Sequence, residues 1–381
     1  MIQPPLGLYI HIPWCVRKCP YCDFNSHANG GVLPEAEYVA ALLDDLQGEW
    51  QRTDGSRPIS TIFIGGGTPS LFSGHAIQTL LDGVRARITL ATDAEITLEA
   101  NPGTVEAERF AAYVEAGVNR ISIGVQSFNN RQLQALGRIH NCGDAERAAR
   151  LAADLPLASF NLDLMHGLPG QGVDEALADL RQAIALNPPH LSWYQLTLEP
   201  NTPFYAAPPV LPEDDTLADI QEAGHALLLA AGYEQYEVSA YAKPGQQCRH
   251  NLNYWQFGDY LGIGCGAHGK ITDGAAGTVL RTVKVKTPKA YLAASRGRSE
   301  QLTTVTAEDL PFEFLLNRLR LFQPFSLDEF EALTSQPATL LDAGLADAEA
   351  QQLLTRDGRM VNLTQRGRRY LNSVLTLFLQ D

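Results

Sequence analysis

Three thiols fall within eight residues at Cys15, Cys19 and Cys22, directly behind an apolar run from Leu8 to Ile12. Thiolates at this spacing can close on one metal centre, and a [4Fe-4S] cubane is held by cysteine thiolates, normally four of them. With three, one iron stays open. An open iron can chelate the amino and carboxylate groups of S-adenosylmethionine, and an electron from the cluster can then break a carbon–sulfur bond. That chemistry belongs to the cofactor pair and leaves placement and shielding to the protein. The competing reading is a structural zinc site that borrows His11 or His27 as a fourth ligand. A disulfide fits poorly, because three closely spaced cysteines leave one over. Cys142, Cys248 and Cys265 are scattered without a framework pattern.

The elements that must hold this loop alternate between strand and helix. Leu8–Ile12 reads as a strand from its β-branched and aromatic residues. Helical spacing over 34–50 then precedes Thr61–Ile64, and a second helix over 76–87 precedes Glu95–Glu99. A third, from Val105 to Glu115, precedes Arg120–Gln126. Helices over 144–153 and 173–186 precede Phe160–Met165 and His190–Leu198. Six such strands predict parallel pairing through right-handed crossovers. Polar residues recur where strands end, at Gly65-Gly66-Gly67-Thr68-Pro69, Glu99, Gln126, Asp163 and Glu199. Convergence from successive strands points to the mouth of a partial (β/α)6 barrel rather than to a single switch point. The glycine run has neither P-loop nor dinucleotide spacing. It is either a tight turn or a backbone that approaches a ligand closely.

A helix over 214–231 leads to an alternating strand, Glu234–Tyr241. The pattern then changes. Arg249–Trp255 and Phe257–Gly269 combine aromatic rings, histidines and glycines, which suits a loop lying against a large flat ligand or a connection packed over the barrel. Beyond it, a helix over 307–321, a hairpin turning at Asp357-Gly358 and a terminal helix capped by Thr364 predict a small winged-helix-like α+β domain. The expected division is a barrel over 1–240, a connecting segment over 241–300 and a C-terminal domain over 301–381.

The formal charge of −14 over 381 residues argues against a surface tuned as a whole to nucleic acid or anionic lipid. Arg356, Arg359, Arg366, Arg368 and Arg369 could form a local phosphate-binding patch, but a solvated helix face is the commoner meaning, and no nucleic-acid partner is expected. Met1–Pro5 lacks the basic stretch of a cleavable signal. No run approaches the ~20 apolar residues that span a bilayer. Together with the cysteine pattern this predicts a reducing, cytoplasmic setting, with any membrane contact made through a partner.

Tyr9-Ile10-His11-Ile12-Pro13-Trp14-Cys15 with Cys19 and Cys22, the Gly65–Pro69 run, Glu99, Gly124-Val125-Gln126-Ser127-Phe128 and His250-Asn251 to Tyr254-Trp255 occur in that order. In this the chain resembles radical S-adenosylmethionine proteins of the oxygen-independent coproporphyrinogen III oxidase type. The resemblance implies that Cys15, Cys19 and Cys22 bind a [4Fe-4S] cluster reduced by an electron donor, and that Tyr9, Gly66 and Glu99 contact S-adenosylmethionine. It also implies that Tyr21, Gly67, Thr68, Gln126, Arg138 and Asp163 complete that pocket or contact a second such molecule. Two departures stand out. Phe24 occupies the position of a further cysteine in the oxidase pattern, and the chain begins just before its first strand, where the oxidase has an N-terminal extension. Phe24 and the segment His250–Trp255 resemble instead the heme-chaperone branch of the family, which delivers heme to acceptors such as respiratory proteins. The expectation is therefore a heme-binding carrier rather than an enzyme, with coproporphyrinogen III oxidative decarboxylation as the alternative. His250 is the candidate heme ligand, Cys248 the rival and His268 the weaker one; a homodimer is compatible.

Overall fold

The computed structural model describes residues 1–29, 31–104, 106–294 and 298–379. Six strands form the barrel: β1 Leu6–Ile12, β2 Ile59–Gly66, β3 Leu90–Ala100, β4 Arg120–Gln126, β5 Ser159–His166 and β6 His190–Gln195. Each pairs in parallel with the next. The helices between them are α1 Glu35–Trp50, α2 Gly74–Arg85, α3 Ala107–Ala116, α4 Cys142–Asp154 and α5 Val173–Ala185. Val105, expected to begin the third helix, lies outside the described residues. Because side chains alternate across a strand, Leu8, Ile10, Ile62, Ile64, Leu98, Ile121 and Ile123 point outward. They are fully buried in one core with Leu42 and Leu46 of α1, Leu80 and Val84 of α2 and Phe110 of α3. Each such burial contributes roughly 1.5–3 kcal/mol.

Beyond β6 the chain departs from the sequence expectation. After α6, Asp214–Ala230, the expected single strand is a hairpin, β7 Glu234–Glu237 and β8 Ala240–Ala242, with β8 antiparallel to β6. The segment taken for a loop is instead helix α7, Arg249–Trp255, followed by strand β9, Asp259–Ile263. Strand β9 pairs in parallel with the free edge of β1. Antiparallel strands β10 His268–Asp273, β11 Thr278–Lys284 and β12 Ser299–Thr304 extend the same sheet. The glycines of this stretch serve close strand packing, which period-2 reading misses when glycine interrupts the apolar alternation.

Buried charge pairs fasten this extension to the barrel. Lys284 of β11 reaches Asp45 at 2.6 Å and Glu49 at 2.7 Å on α1. Asp259 of β9 takes Lys270 at 2.9 Å and Arg57 at 2.7 Å. The C-terminal part has its own core around Phe314, Phe330, Leu345 and Val374, and Phe257 and Val279 of the extension belong to it. A small antiparallel sheet, β13 Phe325–Ser326, β14 Leu354–Asp357 and β15 Met360–Leu363, forms the hairpin wing. Arg356 pairs with Glu349, and Arg359 with Asp328 and Glu331. No helix among the described residues is long and apolar enough to cross a membrane.

Lys284→Ala would leave Asp45 buried without its cation and Glu49 with Arg52 alone. The expected loss is ~3–5 kcal/mol, read as a lower denaturation midpoint.

Candidate functional site

Past Ile12 the chain turns at Pro13, and Trp14–Cys15 pairs in parallel with His27–Ala28, closing the cysteine loop on itself. The Trp14 ring is held against Tyr38 and Phe72, with centroids 4.7 and 6.1 Å away. The loop is thus pinned at its base. Cys15 is buried, Cys19 and Cys22 are half-buried, and all three are free thiols. The glycine turn after β2 presses against them: a Cβ on Gly67 would stand 2.6 Å from the Trp14 carbonyl oxygen and 3.0 Å from Cys15 Sγ.

The three thiols line a cavity of about 500 Å³ at the mouth of the barrel. Tyr21 from the cysteine loop and Gly66, Gly67 and Thr68 from the glycine turn line it too. So do Glu99, Gln126, Arg138 and Asp163, from the ends of β3 to β5 and the chain after β4. Tyr9 lines an adjoining cavity of about 880 Å³ in the lumen. Gly66, Glu99 and Asp163 border both.

The donor set fits a cluster better than zinc. Burial chiefly pushes the Cys15 and Cys22 thiols up, and neighbouring thiols add to this, so a cationic group is needed to hold them ionised together. Among the described residues no three His, Cys, Asp or Glu side chains converge on a single ion. The two histidines a zinc site would borrow are engaged elsewhere. His11 hydrogen-bonds through Nδ1 to Tyr9 Oη and through Nε2 to the Asn25 carbonyl oxygen, both at 2.8 Å, while His27 Nε2 meets the Lys286 carbonyl oxygen at 3.0 Å.

Glu99 accepts one hydrogen bond, from Gly66 N–H at 3.1 Å. Burial first, and then the charge of Asp163, push its carboxyl up to about 8. A ligand ammonium beside it would offset both. Gly66 itself has φ 116°, and a Cβ there would stand 2.6 Å from His11 Cε1. Arg138 donates to the Gly124 carbonyl at 2.7 Å and lies 3.6 Å from Cys19 Sγ. Gln126 adopts φ 70°, uncommon outside glycine, and its Oε1 accepts from Tyr194 Oη at 2.8 Å. The backbone bends there to aim a side chain into the mouth.

Level with Glu99 is a polar layer of which motif reading found only Asp163. Asn161 Nδ2 donates to Asp163 Oδ1 at 2.7 Å, and Ser122 Oγ donates to Asp163 Oδ2 at 3.0 Å. Asn161 Oδ1 meets His190 Nδ1 at 2.7 Å and accepts from Ser192 N–H at 2.9 Å. A signal existed: Arg120 and Ser122, Asn161 and Asp163, and His190 and Ser192 repeat polar residues at period 2 on three successive strands.

Neither leading candidate heme ligand stands open. His250, fully buried, hydrogen-bonds through Nδ1 to Thr61 Oγ1 and through Nε2 to Tyr254 Oη, both at 2.8 Å, and its ring stacks on Phe63. Burial holds its pKa down to about 3. Cys248, also fully buried, lies 3.6 Å from Glu95 Oε1, and burial pushes its thiol up to about 12. Glu95 also accepts from Arg249 N–H and His250 N–H, so these residues dock the start of α7 on β3. His268 is exposed and lines the larger cavity.

A parallel half-open barrel with three cysteines after its first strand, facing a glycine turn and a buried glutamate, is the architecture of a radical S-adenosylmethionine protein. A family model for the Radical SAM superfamily matches residues 9–183, and one for the HemN C-terminal domain matches 305–370. The chain is 61% identical over 378 residues to the heme chaperone HemW of Escherichia coli K12, and 55% identical over 381 residues to that of Haemophilus influenzae, covering 99% of both chains each time. A mouse mitochondrial radical S-adenosyl methionine domain-containing protein 1 is 40% identical over 285 residues, 74% of this chain and 64% of that one. Among solved structures, E. coli coproporphyrinogen III oxidase HemN superposes with TM-score 0.84 over 99% of this chain and 90% of its own, at 23% identity, a likeness of fold. The chain belongs to the HemW family within the radical SAM superfamily.

Cys19→Ala removes one of the three thiols expected to hold the cluster, so anaerobic reconstitution should give less iron and sulfide per chain than the wild type. For Glu99, a folded-state pKa raised from 4.5 to about 8 means its stabilising contribution is present at low pH and lost as pH rises towards 8. Glu99→Gln should therefore flatten the fall in the cofactor-free chain's denaturation midpoint between about pH 4.5 and about pH 8.

Proposed function

We propose that this protein is a heme chaperone of the cytoplasm that binds heme at the barrel and passes it to heme-requiring acceptors such as respiratory enzymes. The observation that carries this reading is the 61% identity to the heme chaperone HemW over 99% of both chains. The site is compatible with it: a lumen of about 880 Å³ adjoins the cysteine mouth, within the range of small-molecule and cofactor sites. Phe24, 57% exposed, borders both cavities where the oxidase pattern has a cysteine. An apolar ring suits the edge of a flat macrocycle and offers no thiol chemistry.

Cys15, Cys19 and Cys22 would hold the [4Fe-4S] cluster. Glu99 and the Gly66 turn would take the ammonium end of S-adenosylmethionine, with Tyr9, Tyr21, Gly67, Thr68, Gln126, Arg138 and Asp163 around them. When bound, that pair supplies one-electron reduction and carbon–sulfur cleavage. The chain's own part is to bind, to orient and to screen the mouth from water, which Tyr21 and the closed cysteine loop are placed to do. The oxidase reading rests on likeness of fold at 23% identity.

An anaerobic titration of the cluster-loaded protein with heme tests the proposal. Saturable binding at one heme per chain is expected, and no saturable binding would remove it. The structure also makes a prediction about the ligand. Because both ring nitrogens of His250 are engaged in the fold, His250→Ala should lower thermal stability and leave the heme spectrum unchanged, whereas His268→Ala should alter the spectrum.

A further inference from the structure

The floor of the larger cavity carries a positive charge that the fold does not use. Arg120, the first residue of β4, is 3% exposed and lines this cavity. Among the described residues its Nε has no partner and its guanidinium joins no hydrogen bond or ion pair. The carboxylates near enough to act on it electrostatically are committed elsewhere. Glu95 receives Cys248 Sγ and the Arg249 and His250 N–H groups. Asp163 receives Asn161 and Ser122. A guanidinium carries five N–H donors in a rigid fork that matches a carboxylate, and leaving such a group buried without a partner is costly.

We infer that Arg120 is an anchoring site for a carboxylate of the ligand that occupies the lumen; on the heme-chaperone reading, this is a carboxylate on the polar edge of heme. The geometry supports that orientation. Arg120, Ser122 and Gly124 share the inward face of β4, four residue steps at ~3.3 Å or ~13 Å from the floor to the bulge below the mouth, where Gln126 bends in. A flat ligand anchored by its acidic edge at Arg120 would direct its ring towards Phe24 and His268 at the rim, which border the same cavity. The neighbours at the floor are polar and neutral: His190 and Asn161 are hydrogen-bonded to each other, and burial keeps His190 unprotonated. Glu95 and Asp163 are the negative groups within electrostatic reach, and both are held by hydrogen bonds to other partners.

The inference rests on the heme reading, and the test separates the two. Cluster-loaded wild type, Arg120→Gln and Arg120→Lys are each titrated anaerobically with heme and with heme whose carboxyl groups are esterified, with circular dichroism and iron content as controls on folding. The wild type should bind free heme about tenfold or more tightly than the diester, the worth of one charged hydrogen-bonded contact. Arg120→Gln should weaken free heme to the level of the diester and leave the diester unchanged, while Arg120→Lys should restore part of the difference. Equal weakening of both ligands would make Arg120 a structural residue and overturn the inference, as would equal affinities in the wild type or a preference that survives in Arg120→Gln. If Arg120→Gln does not fold, the wild-type preference for free heme and its reduction in Arg120→Lys decide the matter. Wild type that binds neither ligand overturns the heme reading and this inference together; any overturning result in which the wild type still binds heme removes this inference alone.

Discussion

A barrel lumen lined with polar side chains must be satisfied from within or by what enters it. Strand alternation sends Leu, Ile and Val outward to the helices, so it also sends their neighbours inward, and here those neighbours are Glu99, Arg120, Ser122, Asn161, Asp163, His190 and Ser192. A buried polar group without a hydrogen bond costs several kcal/mol in an apolar setting. Most of this lumen answers the demand internally, through the network joining Ser122, Asn161, Asp163, His190 and Ser192. Two groups do not: Glu99 has one backbone donor, and Arg120 has no partner among the described residues. Both border the larger cavity and carry opposite charges, Glu99 standing in register with Ser122 one inward position above Arg120, so each is left to meet a group of what enters the lumen.

The rest of the chain keeps that lumen in shape. Helix α7 and the extension from β9 to β12 lie outside the cysteine loop, yet Glu95 draws the start of α7 onto β3, and His250 ties it to Thr61 of β2. The extension is fixed to α1 by Lys284 and to the strand edge by β9. Arg320 from the C-terminal domain stacks over Trp255 of α7, 4.4 Å from the ring, so that domain meets the cavity wall. The motif that ends in Trp255 therefore works as a joint between barrel, extension and C-terminal domain.

Much of this was legible in the sequence. The cysteine spacing, the glycine run and the acidic or amide residues at strand ends predicted one mouth, and the structure brings Cys15, Cys19, Cys22, Gly66, Glu99, Gln126 and Asp163 to one cavity. These residues are readable because each follows its strand directly, so sequence position fixes spatial position. The helix and strands between 249 and 304 were not, because glycine and aromatic residues there obscure both periodicities. The role of His250 was also hidden: an imidazole beside aromatic rings looks like a ligand until Thr61 and Tyr254, distant and near in sequence, are seen to take both nitrogens. That Arg120 is unpaired among the described residues depends on where Glu95 and Asp163 spend their oxygens, and no spacing rule contains that information.

The radical SAM scaffold serves here in a heme chaperone. The most direct measurement is transfer: heme-loaded, cluster-containing protein is mixed anaerobically with a heme-free respiratory acceptor, and the heme spectrum of each partner is followed after separation. Heme should leave this protein and appear in the acceptor faster than from free heme at the same concentration. Retention of the heme, or transfer no faster than from solution, would contradict it.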